Sequence, residues 1–71
     1  MRRFLVRSTA VRSLGYDQKA LRLDVEYPSG EVYRYEGVPP EEVVQMMRSE
    51  SLGRFINFRI KPHYRYSKLE H

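Results

Sequence analysis

The sequence predicts an α+β fold: a three-stranded antiparallel β-meander over residues 8–16, 20–27 and 31–37, packed against two helices over 40–48 and 51–60. Two observations carry this. The first is a hairpin signal centred on Pro28-Ser29-Gly30. The second is a change in apolar spacing after Val38, from every second residue to every third or fourth. That is the change from strand period to helix period. Strands followed by helices, with antiparallel pairing, give a two-layer α+β domain.

The hairpin can be read to the level of register. Leu21, Leu23, Val25 and Tyr27 alternate with Arg22, Asp24 and Glu26, as in a half-buried strand. Pro28 suits the first turn position, and Gly30 suits the left-handed residue that closes a three-residue loop. Pairing outward puts Val25 opposite Tyr33 and Leu23 opposite Tyr35. The other face pairs Asp24 with Arg34 and Arg22 with Glu36, both opposite in charge, which supports this register. Tyr33 and Tyr35 therefore share the apolar face with Leu23 and Val25.

The strand before it, around Thr9 to Tyr16, alternates less cleanly, because Val11 and Leu14 fall on different faces of an ideal strand. A bulge at Gly15 is the expected cause, with Asp17-Gln18-Lys19 as the following turn. Residues 1–7 read as a basic N-terminal tail or strand extension, and 8–68 as one domain. Leu69-Glu70-His71 reads as a remnant of an expression tag. In the helical half, Pro39-Pro40 precede Glu41 and Glu42; proline in the first turn and acids at the positive end of the dipole mark a helix start. Val43, Val44 and Met47 form its apolar stripe. Ser51 is the expected N-cap of the second helix. There Leu52, Phe55, Ile56 and Ile60 recur at helical spacing, and Pro62 sets the stop near Ile60. Residues 63–67 alternate again and are expected to add a short C-terminal edge strand. The expected core is Leu23, Val25, Val43, Met47, Phe55 and Ile56, with Tyr33 and Tyr35 partly buried.

A chain of 71 residues is one small domain with a thin core. It has no cysteine, which excludes disulfides and thiolate metal sites and fits a reducing, cytoplasmic setting. No run approaches the ~20 apolar residues of a membrane span. Charge is segregated. Residues 1–12 carry Arg2, Arg3, Arg7 and Arg12 and no acid, residues 13–50 are acidic on balance, and residues 51–68 carry five cations and no acid. Basic ends around an acidic middle suit an anionic partner, with nucleic acid the usual candidate. They equally suit simple solubility.

The ordered set Gly15-Tyr16-Asp17, Leu23-x-Val25, Gly30, Tyr33-x-Tyr35, Val38-Pro39, Ser51-x-Gly53, Asn57, Ile60 and Tyr64 resembles the KTSC domain. That small module occurs alone in bacterial proteins and at the C-terminus of some lysyl-tRNA synthetases. The resemblance spans roughly residues 11–66. It departs at Leu52, where the family is expected to carry a basic residue between serine and glycine. The synthetase association implies RNA as a partner.

The candidate nucleic-acid contacts are Arg54, Arg59, Lys61, Arg65 and Lys68 for phosphates, and Tyr64 and Tyr66 as ring faces. Aromatics interleaved with cations suit a single strand; the alternative for Tyr64 and Tyr66 is packing on the sheet edge. Tyr33 and Tyr35 are either core or a stacking platform. Ser51 and Gly53 begin a helix that could bind phosphate through free N–H groups, or are a plain N-cap with a glycine that permits close packing. Asn57 faces solvent or bonds the preceding loop. Catalysis has little support. Ser49-x-Ser51-x-Gly53 lacks the first glycine of a nucleophile elbow, and one histidine outside the tag-like end makes no recognisable zinc site. No cofactor or metal is expected. The reading is a non-catalytic RNA-binding module; the alternative is a protein-interaction or structural accessory module docking an acidic partner.

Overall fold

A computed structural model of the chain describes the backbone of residues 3–5 and all of residues 9–69. The elements are β1 (Arg3–Leu5), β2 (Ser13–Asp17), β3 (Arg22–Glu26), β4 (Val32–Tyr35), α1 (Pro40–Arg48), α2 (Leu52–Phe55) and β5 (Tyr66–Leu69). A π-helical turn, Ile56–Ile60, directly continues α2. The strands form one antiparallel sheet in the order β1-β2-β3-β4-β5, and the helices cover one of its faces. The α+β class, the meander and the two helices are as the sequence predicts.

The central hairpin follows its local chemistry. The Tyr27 N–H donates to the Glu31 carbonyl at 2.8 Å, and the Gly30 N–H to the Tyr27 carbonyl at 2.9 Å. Gly30 adopts φ 94°, a conformation that glycine reaches without strain. Leu23 pairs with Tyr35, Asp24 with Arg34 and Val25 with Tyr33. On the face away from the helices, Arg34 grips Asp24 through two bonds of 2.9 and 3.0 Å, and Arg22 reaches Glu36 at 3.2 Å. Asp24 is only 2% exposed, so this pair lies in the middle of the sheet and not on a solvated surface.

The sheet has five strands: the three of the predicted meander, the expected C-terminal edge strand, and β1 at the opposite edge. Arg3–Leu5, read as tail or extension, is β1 and pairs with β2. The edge strand expected over 63–67 lies at Tyr66–Leu69, where Leu69 pairs with Val32. Leu69 is thus a strand residue, while Glu70 and His71 lie outside the described residues. The first predicted strand starts five residues later, at Ser13; residue 8 is not described. Gly15 is not a bulge, because β2 pairs continuously with β3 from Ser13 to Asp17. The phase change comes earlier, at the bend around Arg12, whose N–H bonds the Glu26 carbonyl at 2.8 Å. That bend lets Val11 enter the core together with Leu14. Asp17 then closes its turn by accepting the N–H groups of Lys19 and Ala20 at 3.1 and 3.2 Å. The turn ends on Leu21 at φ 55°.

The core comprises Val11, Leu14, Leu23, Val25, Tyr35, Val38, Met46, Ile56 and Ile60. In α1 the expected Met47 is replaced by Met46. Val44 and Met47 are about half exposed, and Val43 packs only at the margin. The cause is Glu42, whose carboxylate accepts bonds from Arg59 and Tyr64. This turns the Glu42/Met46 face of the helix inward. Phe55 is likewise marginal, while Ile56 and Ile60 are fully buried. The Lys61 N–H bonds the Ile56 carbonyl at 2.8 Å, a wide i→i+5 turn. Lys61 itself keeps helical dihedrals, φ −55° and ψ −47°. The stop therefore does not come from a steric bias on the residue before proline. It coincides with Pro62, which has no N–H to continue the ladder.

Candidate nucleic-acid interface

The alternation of β3, β4 and β5 brings tyrosines together on the helix-facing side of the sheet, toward its β5 edge. Tyr35 is fully buried, and its hydroxyl lies 3.3 Å from that of Tyr27. Burial first, and then the Tyr27 contact, push the Tyr35 hydroxyl far above its ordinary pKa. Tyr66 stacks on Tyr33 with centroids 5.6 Å apart and planes 21° apart, and leans on Tyr35 at 5.5 Å. Tyr27 meets the Tyr33 ring edge-on at 5.3 Å. Tyr35 is thus core, Tyr33 half-buried, and Tyr66 the outer ring at 47% exposure. Lys68 lies opposite Tyr33 in the β4–β5 register and forms an ion pair with Glu31. That contact raises the Lys68 pKa and lowers that of Glu31.

Tyr64 and Tyr66 have different partners. Tyr64 lies in the turn after the helical segment, and its hydroxyl donates to Glu42 Oε2 at 2.9 Å. Burial, followed by the bond to Glu42, raises its pKa. Arg59 Nη2 donates to Glu42 Oε1 at 2.7 Å, and its guanidinium lies 4.8 Å over the Phe55 ring. Glu42 therefore ties α1 to the π-helical turn and to the segment leading into β5. Arg54, Lys61 and Arg65 are exposed and have no acidic partner among the described residues. The five predicted phosphate contacts thus divide into three open cations and two held in ion pairs.

Ser51 caps α2, accepting the Arg54 N–H at 3.3 Å. A Cβ on Gly53 would lie 2.7 Å from the Ala10 Cβ, so glycine here permits close packing. Asn57 is exposed. Phe58, which is not among the sequence-predicted contacts, is 69% exposed. With Ser51, Arg54, Phe55 and Arg59 it lines an open cleft of about 400 Å³. The available signal was its place off the Leu52/Phe55/Ile56/Ile60 stripe, which leaves an aromatic ring pointing away from the core. Among the described residues no cluster of His, Asp and Glu could hold a metal, and no helix is long and apolar enough to cross a membrane.

Fold and site together define a small α+β module: a meander with a tyrosine-lined edge and a basic helical segment laid across one face. The KTSC domain model matches residues 7–64, and the chain belongs to that family. A crystal structure of a KTSC domain protein from Yersinia pestis superposes with a TM-score of 0.91 at 30% identity, covering 97% of each chain. An uncharacterised protein of Stutzerimonas stutzeri is 48% identical over 71 residues, covering 99% of this chain and 100% of that one. A lysine–tRNA ligase of Nostoc punctiforme is 31% identical over 61 residues, which are 86% of this chain and 11% of the ligase.

Proposed function

We propose that this protein is a non-catalytic, cytoplasmic nucleic-acid-binding module with a preference for single-stranded RNA. The observation that carries the reading is the Tyr66 ring, half exposed and backed by Tyr33 and Tyr35, in a segment with five cations and no acid. A ring fixed from behind offers its outer face to a base at little entropic cost, and every base has a face to stack. The presence of a similar segment in a lysine–tRNA ligase supports RNA as the nucleic acid.

The test is a salt series of binding to a short unstructured RNA and to a matching duplex. If Arg54, Lys61 and Arg65 each meet a phosphate, the log–log salt slope is ~2; if all five cations did so, it would be ~3.5. Arg65→Ala lowers the slope by ~0.7 and weakens all sequences alike, because phosphate contacts carry no base information. Tyr66→Ala weakens binding and leaves the slope unchanged. Absence of binding at millimolar RNA would transfer the same cations to the alternative role, docking an acidic protein partner.

A further inference from the structure

We propose a second contact point for the same ligand: the cleft between the α1–α2 turn and the helical segment takes one unstacked base on Phe58, with the adjoining phosphate on Arg54. This rests on the single-strand reading above and adds a site that the tyrosine edge does not include.

Five features of the cleft point to a nucleotide. Phe58 is the most exposed large apolar side chain among the described residues, and it lines the cleft together with Phe55 and two cations, Arg54 and Arg59. The back wall is fixed: Arg59 lies over Phe55 at 4.8 Å and is itself anchored to Glu42 at 2.7 Å. A ring entering the cleft therefore meets a preorganised aromatic and guanidinium wall, and both groups stack on bases. Arg54 stands exposed at the rim with no acidic partner among the described residues, available to a phosphate. Glu50 also lines the cleft. As a carboxylate it only accepts hydrogen bonds, so it suits a base bearing an exocyclic amino group and opposes a bare anion. A volume of about 400 Å³ is at the small end of ligand sites. It accommodates one ring lifted out of a strand, whereas a base paired in a duplex has no free face to offer Phe58.

The chain has no tryptophan, so Phe58→Trp places a single indole reporter in the cleft, and Tyr66→Trp places one at the sheet edge. Each variant is titrated with short single-stranded oligoadenylate, with a matching duplex as the second arm. The expected result is quenching of the Phe58→Trp emission over the concentration range in which wild type binds, and no quenching by duplex. Phe58→Ala weakens binding roughly 5- to 150-fold, the loss expected of one stacked base. Because Phe58 is exposed, this variant keeps the fold. Arg54→Ala lowers the salt slope by ~0.7. If oligoadenylate quenches Tyr66→Trp while Phe58→Trp is silent and Phe58→Ala binds like wild type, the cleft proposal is overturned and the tyrosine edge stands. If neither reporter responds and wild type does not bind, both are overturned.

Discussion

Gly53→Ala is the sharpest test of how the helical layer sits on the sheet. Two effects oppose each other. Alanine is up to about 1 kcal/mol better than glycine inside a helix, and Gly53 is the second residue of α2. Against this, the new Cβ would lie 2.7 Å from the Ala10 Cβ, whereas carbon atoms pack best at about 3.5–4.0 Å. The Ala10 Cβ is bonded directly to the backbone and cannot rotate away. The α2 start or the segment before β2 must therefore move by about 1 Å, and overpacking of this kind costs about 1–3 kcal/mol. The net expectation is a loss of about 1 kcal/mol. In a domain this small, that lowers the melting temperature by about 4–8 °C. The decisive arm is the same substitution in an Ala10→Gly background. With the opposing methyl gone, only the propensity gain remains, and Gly53→Ala becomes stabilising. The two sites should thus couple by about 2 kcal/mol in a double-mutant cycle, read by thermal melts of the four proteins. Equal effects of Gly53→Ala in both backgrounds would refute the contact and the docking of α2 against residue 10.

Ile56→Ala, at a fully buried site, should cost about 2–5 kcal/mol in urea denaturation, while Phe55→Ala should fall below the about 3–5 kcal/mol of a buried phenylalanine; the reverse order would contradict the observed helix rotation. Stability should decline above pH ~10, because the unfolded chain then loses the Tyr35 proton that the fold retains, and a folded state holding more protons loses stability as pH rises. Tyr35→Phe should flatten that decline in melts across alkaline pH. Leu21 holds φ 55°, at a cost of about 1–2 kcal/mol for an ordinary side chain, so Leu21→Asn should raise the melting temperature; a drop would mean that its side chain contributes more than the strain removes.

The hairpin from Leu21 to Glu36 was legible because its determinants are local: a turn tripeptide, strict alternation and two complementary cross-strand charges. β1 and β5 were harder to read, being only three and four residues long and offering too little alternation to count. The choice of Met46 over Met47 was invisible for a different reason. It depends on Glu42 meeting Arg59 and Tyr64, 17 and 22 residues away, and local periodicity carries no trace of that. The same limit applied at the site. Five cations without an acid read as five free charges, because the acids that hold Arg59 and Lys68 lie in the middle of the chain. Phe58 lies off the Leu52/Phe55/Ile56/Ile60 stripe, and the spacing that marks the buried face carries no information about what an exposed ring stands beside.

The two ion pairs differ in how readily a phosphate could replace the acid. Lys68 and Glu31 are both open, with side chains 56% and 42% exposed; such pairs contribute little and are screened by salt. Glu42 is only 15% exposed and also carries the Tyr64 bond, so releasing Arg59 would strip a partly buried carboxylate of a partner. On the proposed reading, a strand arriving at Tyr66 competes for Lys68 first. Glu31→Gln removes the competing charge while keeping a similar shape. It should tighten RNA binding at low salt and raise the salt slope by ~0.7, as one more phosphate contact becomes available. The comparison is made by titration at several salt concentrations against wild type, with Glu36→Gln as a control for the loss of one acid, since Glu36 pairs with Arg22 on the other face. If both variants gained affinity equally and neither changed the slope, net charge alone would explain the gain, and Lys68 would have no place at the interface.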